Sequence, residues 1–147
     1  DTWGGLLHPV DFEEFALPYA RAIFERVDRE TGAPTIYYVN GNPALLPAWS
    51  RSGCSIVGVD WRMNLSDVAA AVPENVGIQG NLDPLLLLTD PERIRTRTRA
   101  MIEDLGGRSG YICNLGHGVT PPTPIENVGA FVDAVKSLAP AREGGVA

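Results

Sequence analysis

Cysteine and lysine are scarce: the chain has two cysteines, Cys54 and Cys113, and one lysine, Lys136. Two isolated thiols give neither a disulfide framework nor the paired spacing of a structural zinc site, so a reducing cytoplasm is the expected setting. Eleven arginines complete the 12 basic residues, which face 18 acidic ones for a formal net charge of −6. With no basic tail, and with cations scattered apart from the one run at 93–99, nucleic acid is not an expected partner. Long apolar runs are missing as well. The longest uncharged stretch, residues 31–50, contains Gly32, Pro34, Gly41, Pro43 and Pro47, a composition that excludes a membrane-spanning helix. No basic region leads into an apolar block at the N-terminus, so no secretion signal is expected. The nitrogen and sulfur donors are limited to His8, His117, Cys54 and Cys113, without His-x-Cys or Cys-x-x-Cys pairs, and no metal is expected. Gly77-x-x-Gly80 falls short of a Gly-x-Gly-x-x-Gly phosphate loop.

What is present suits one folded domain. A hydrophobic share of 44% with 20% charged residues over 147 positions can build a core, which argues against disorder. Short β-rich runs at 35–40, 55–60, 76–80 and 111–115 are nearly continuous in apolar residues. That pattern predicts strands covered on both faces, in a parallel sheet with helices outside.

Helical periods fill the intervals. Thr89 with Glu92, and Thr123 with Glu126, have the spacing of capping boxes. The first predicts a helix over 91–105 burying Ile94, Met101, Ile102 and Leu105, with Gly106-Gly107 as its left-handed stop. The second predicts a helix with Pro124 at its first position and an apolar stripe of Ile125, Val128, Val132 and Val135. An N-terminal helix is expected from Asp11, which with Glu14 resembles a third box. It would place Phe12, Phe15, Tyr19, Ile23 and Val27 on one side and be kinked or split by Pro18. Shorter helices are expected over 43–52 and 66–72, the latter ended by Pro73, and the tail 139–147 is expected to fray.

Asp1-Thr-Trp-Gly-Gly5 has the polar, Gly-rich character of a strand exit, yet no strand precedes it. Four and a fraction βα units make about half of an eight-unit barrel, which needs roughly 250 residues. The expected architecture is therefore α/β, half of a (β/α)8 barrel, over residues 1–138.

In such folds ligands bind at the carboxyl ends of the strands. Those ends read Asn40-Gly-Asn42, Asp60-Trp-Arg62, Gly80-Asn-Leu-Asp83 and Gly116-His-Gly118. His117 is the sharpest candidate, because flanking glycines allow close approach of a ligand and imidazole can bind a carboxylate or move a proton. The competing role is capping of a loop carbonyl. Asp60 and Asp83 have the chemistry of acids or bases but also the position of turn and N-cap residues, which is the favoured role. Arg62 is placed either to clamp a ligand carboxylate or to pair with a nearby acidic loop. Arg93, Arg95, Arg97 and Arg99 alternate and so spread over two flanks of a helix, as a solvated surface does. Trp3 and Trp61 are candidates for lining a cleft, and Trp49 for filling the core.

Asp1-Thr-Trp-Gly-Gly5, Tyr38-Val-Asn-Gly41, Gly58-Val-Asp-Trp61, Gln79-Gly-Asn-Leu-Asp-Pro84, Asn114-Leu-Gly-His-Gly118 and the closing run at 124–135 occur in an order that resembles the C-terminal half of the uroporphyrinogen decarboxylase family. The resemblance spans nearly the whole chain and implies a (β/α)8 barrel. It also implies cofactor-free decarboxylation of the four acetate side chains of uroporphyrinogen III to give coproporphyrinogen III in haem biosynthesis. By motif, His117 matches the family's substrate-binding histidine, and Thr2 stands where the family often has a substrate-contacting serine. The family's arginines, central aspartate and tyrosine belong to its N-terminal half, so the resemblance implies that catalytic residues lie outside these 147 and that this chain alone is inactive.

Two alternatives accompany this assignment. Zinc-dependent corrinoid or thiol methyltransferases share the superfamily, but their His-x-Cys ligands are replaced here by Tyr38-Val39-Asn40. The other is a non-catalytic half-barrel that associates with another chain or with its own copy, because open edge strands and an uncovered sheet face favour a partner.

Overall fold

Hydrophobic periodicity and turn chemistry generate four βα steps in the computed structural model, which describes residues 1–138; the tail expected to fray lies outside the described residues. Strands β1 (Ile36–Tyr38), β2 (Ile56–Gly58), β3 (Gly77–Leu82) and β4 (Tyr111–Leu115) form one parallel sheet in the order β1-β2-β3-β4. Sequential parallel neighbours with helices between them are the repeat of a (β/α)8 barrel. The helices are α1 (Pro9–Phe15), α2 (Leu17–Thr31), α3 (Leu46–Trp49), α4 (Leu65–Ala71), α5 (Pro91–Asp104) and α6 (Ile125–Leu138). Short 3-10 turns occupy Gly4–Leu6, Pro43–Leu45 and Pro84–Leu88. No helix among the described residues is long and apolar enough to cross a membrane.

The expected two-sided cover of the sheet is corrected. Tyr37, Val57, Ile78 and Tyr111 stand in register and face the helices, the first three buried. The neighbouring row Tyr38, Gly58, Gln79 and Ile112 points to the other side, because side chains alternate along a strand. There Ile112 is 40% exposed, and Ile36 in the same facing set is 46% exposed. An apolar run reports that both faces are destined for burial, not that this chain covers both.

Helix starts are corrected in three places. α1 begins at Pro9, and His8 caps it through Nδ1, which accepts from the Val10 amide at 3.4 Å; Asp11 sits in the first turn instead. α5 is capped by Asp90, whose Oδ1 accepts from the Arg93 amide at 2.9 Å, while the Thr89 hydroxyl donates back to the Leu86 carbonyl. A carboxylate adjacent to the hydroxyl is the better match for the positive helix end. The Thr123 hydroxyl lies 3.1 Å from that of Thr120, and the Pro124 carbonyl accepts the first bond of α6 from Val128. Pro124 thus precedes the helix rather than opening it.

Buried stripes shift correspondingly. Pro18 does split the first helix, at Ala16, and the covered face carries Leu17, Ala20 and Phe24 beside Phe12, leaving Phe15, Tyr19 and Ile23 at least 61% exposed. In α6 the face against the sheet is Asn127, Ala130, Phe131 and Ala134, with Val128 and Val135 at its margin and Ile125 87% exposed. In α5 Ile94 and Leu105 are buried as its pattern requires, Met101 and Ile102 are only half-buried while Thr98 is buried, and Gly106 and Gly107 stop the helix at φ +70° and +79°.

Burial raises the ionisation of Tyr111 above its ordinary value, with the nearby Cys113 adding to the shift, and burial raises Tyr37 and Tyr38 as well. The folded chain holds these phenol protons more tightly than the unfolded one. Their contribution to stability is therefore full below a pH of about 10 and is lost as pH rises beyond it. Denaturant melts at pH 8 and above pH 10 are expected to show this loss, with the phenolate absorbance appearing together with unfolding. Tyr111→Phe should flatten the alkaline limb.

Candidate functional site

Each strand exit is tied to the next by short-range chemistry. Beside β1, the Asp1 nitrogen donates to the Tyr38 carbonyl and the Asp1 carbonyl accepts from Asn40 at 3.2 Å, so Asp1 pairs as a strand residue along the β1 edge. Its Oδ1 then accepts from Gly4 at 2.8 Å and starts the 3-10 turn. Gly5 packs against the Asn40 carbonyl so closely that a Cβ would lie 1.7 Å from that oxygen. This geometry leaves Thr2 and Trp3 exposed on the rim.

Asp60, at the β2 exit, has a side chain only 1% exposed. Its Oδ2 accepts from the Gly41 amide at 2.7 Å and pairs with Arg62 Nη1, while Oδ1 accepts from the Arg62 amide at 2.9 Å. The Arg62 guanidinium also reaches Asn40 Oδ1 at 3.3 Å and lies 4.3 Å from the Trp61 ring centroid, a cation–π arrangement. Arg62 thus pairs with the acidic loop, and Asp60 links the first two exits. From β3, Asn81 continues the chain of bonds. Its Nδ2 donates to the Asp60 carbonyl at 2.8 Å and to the Met63 carbonyl at 2.7 Å. Asp83 plays the favoured N-cap part, with Oδ1 accepting from Leu85 at 2.9 Å.

The β4 exit closes the series. Gly116 donates to the Leu82 carbonyl at 2.7 Å, and its carbonyl accepts from the Tyr38 hydroxyl at 2.8 Å. His117 follows, exposed, with its ring centroid 6.3 Å from that of Tyr38 and 6.4 Å from that of Trp61, edge-on to both. Tyr38, Gly58, Gln79, Asn114, His117 and Val119 belong to the lining of a concavity of about 460 Å³ on the sheet face that the helices do not cover. Burial, followed by the charge of Asp60, raises the Tyr38 phenol above its usual range against a smaller opposing effect of Arg62.

The rim gathers His117, Asp60, Arg62 and Trp61, with Thr2 on the same strand-exit side, whereas Trp49 is fully buried in the core. The arginine run divides over two flanks as its spacing requires. Arg93 and Arg97 border a second concavity of about 260 Å³ beside Asp83, and Arg95 pairs with Glu92 at 3.5 Å. Among the described residues no three of His, Cys, Asp and Glu converge in a way that would hold a metal ion. Cys54 and Cys113 are free, and burial raises the Cys113 thiol.

Sequence reasoning passed over Tyr38 as a site residue, and also Asn81, Asn127 and Arg108. Asn127 donates to the carbonyls of Leu87 and Thr89 at 2.8 Å each, and Arg108 reaches the carbonyls of Ala69, Val72, Pro73 and Val76 at the end of α4. A lone Asn within an apolar helix face was the available signal for Asn127. For Tyr38 the signal was the glycine of the next strand, Gly58, whose lack of a side chain makes room for a ring.

A family model described as "Uroporphyrinogen decarboxylase (URO-D)" matches residues 1–138. The uroporphyrinogen decarboxylase of Prochlorococcus marinus is 42% identical over 139 residues, covering 94% of this chain and 39% of that protein. That of Gloeobacter violaceus is 42% identical over 141 residues, covering 95% and 40%. The Hydrogenovibrio crunogenus decarboxylase is 38% identical over 143 residues, covering 95% and 40%. The chain thus spans about 40% of the length of these curated relatives. Among solved structures, a methyltransferase from Methanosarcina mazei superposes with a TM-score of 0.79 at 20% identity, covering 93% of this chain and 40% of its own; this likeness is one of fold.

Proposed function

This chain belongs to the uroporphyrinogen decarboxylase family, and from that premise we propose that it supplies the C-terminal, carboxylate-binding rim of an enzyme converting uroporphyrinogen III to coproporphyrinogen III. The observation that carries the proposal is the convergence of the motif-bearing strand exits on one hydrogen-bonded rim beside an open concavity. His117 offers an imidazole N–H to a substrate carboxylate, and the Thr2 hydroxyl offers a second donor. The chemistry needs no cofactor. Protonating the pyrrole beside the acetate-bearing carbon makes a cationic π-system that receives the electron pair of the C–CO₂ bond. Carbon dioxide leaves, the methylene carbon takes a proton to become methyl, and the ring returns its own, so each acetate consumes one proton. Groups that stabilise the cation and clamp most of the eight carboxylates lie in the family's N-terminal half. A cytoplasmic setting belongs to the same proposal. So does a partner, either the rest of a barrel or a second copy of the chain, that covers Ile36 and Ile112.

The test is complementation. The 147-residue chain alone is expected to leave uroporphyrinogen unchanged, and adding the N-terminal segment of a relative is expected to restore turnover. In the restored enzyme His117→Ala should lower kcat/KM about 10- to 100-fold, the loss of one hydrogen bond to a charged group. Turnover by the chain alone would contradict the assignment of the catalytic groups. Stoichiometric zinc with methyl transfer would replace the decarboxylase assignment altogether.

A further inference from the structure

We infer that Tyr38 is the positioning residue of this rim: by bonding across the sheet to the Gly116 carbonyl, it holds the loop that presents His117 to the concavity. The loop's first residue is pinned from three directions. Its N–H goes to Leu82 at the end of β3, its α-carbon is packed where a Cβ would meet the Trp61 nitrogen at 2.6 Å, and its carbonyl takes the Tyr38 hydroxyl from β1. The first two restraints are backbone. The third is a side-chain bond linking residues 78 apart in sequence, and it alone can be removed without touching the loop. Tyr38 reaches that far because β2 offers Gly58 beneath it, where a Cβ would stand 3.1 Å from Tyr38 Cβ and 3.2 Å from Cδ2. Past the pin, Gly118 has nothing within 4 Å of where a side chain would begin, so the loop regains freedom immediately after His117. The imidazole then rests edge-on between the rings of Tyr38 and Trp61.

The consequence for ligand binding rests on the function proposed above, whereas the consequence for the loop does not, and the experiment reads both. Tyr38→Phe, His117→Ala and the double variant are compared with the unaltered chain. Gly116 amide exchange and the NMR order parameters of 116–118 are measured on the chain without ligand, and uroporphyrin III binding is measured by fluorescence on the chain complemented with the N-terminal segment of a relative. In Tyr38→Phe, Gly116 exchange is expected to quicken about three- to tenfold, the order parameters at 117 and 118 to fall, and uroporphyrin to bind three- to tenfold more weakly, as the loss of one neutral hydrogen bond implies. In the His117→Ala background the second substitution should weaken binding no further, since Tyr38 acts through His117. Unchanged exchange and order parameters would overturn the inference. An equal loss in both backgrounds would do the same, by making Tyr38 a direct ligand contact. Failure of the unaltered chain, complemented with that N-terminal segment, to bind uroporphyrin would count against the porphyrin proposal instead, and the ligand-free measurements would still decide the role of Tyr38.

Discussion

Trp49→Ala is expected to destabilise the folded chain by about 3–5 kcal/mol, the range for deleting a fully buried aromatic side chain. Trp49 is 0% exposed and is the largest fully buried side chain among the described residues. It belongs to the cluster in which Leu45 of the β1–α3 connection and Leu46 of α3 meet Val57 and Val59 of β2 and its exit and Val68 of α4. Truncation removes the transfer free energy of the indole and leaves a cavity that a short helix, stiffened by Pro47 and preceded by the Pro43 turn, cannot collapse to fill. Domains of this size are stable by roughly 5–15 kcal/mol, so the loss takes a large share of the total. A urea melt should show the midpoint falling with an unchanged slope, and Trp49→Phe should recover most of the difference. A loss below 1 kcal/mol would mean that the β1–α3 segment is not a cornerstone of the core.

Gly5→Ala is expected to cost about 3 kcal/mol, at the upper end of what forced overpacking costs, and to loosen the rim at the β1 exit. The added methyl would sit 1.7 Å from a backbone oxygen, that of Asn40, and no side-chain rotation can relieve it. The chain must separate Asp1–Gly5 from β1, breaking the Asn40-to-Asp1 bond and withdrawing Thr2 from the rim. Gly129→Ala is the control. Gly129 lies within α6 with nothing within 4 Å of an added Cβ, so the change should stabilise by about 0.5–1 kcal/mol through helix propensity. Thermal melts of the two variants are expected to shift in opposite directions. Similar shifts would show that the close packing of Gly5 does not govern the rim.

Much of this architecture was legible in the residue pattern, for identifiable reasons. β-branched runs separated by glycines, with helical periods between them, set the number and kind of elements, and Gly106-Gly107 and Pro18 placed a helix end and a helix break. Strand exits are readable because polar and small residues cluster only where the sheet ends, so His117, Asp60 and Asp83 could be named in advance. Helix faces were less readable. Across α1 and α2 the stripes Leu17–Ala20–Phe24 and Phe15–Tyr19–Ile23 share one period, and nothing local ranks them. The start of α5 differs from the hydroxyl position by one residue because the Asp90 carboxylate takes the orphan amide that Thr89 could have taken, and α6 starts after Pro124 because the Thr123 hydroxyl is engaged with Thr120.

What the amino-acid order determined unaided was a set of parallel βα units with small and polar residues at the strand ends, since backbone periodicity and turn chemistry act over a few residues. Only the tertiary structure decided which partner each polar group takes. It set the carboxylate of Asp60 against the Gly41 amide of the neighbouring exit, and the phenol of Tyr38 against a carbonyl 78 residues away. Such bonds form between strands that meet only after the sheet has assembled, so their geometry is a property of the packed sheet and not of any segment within it.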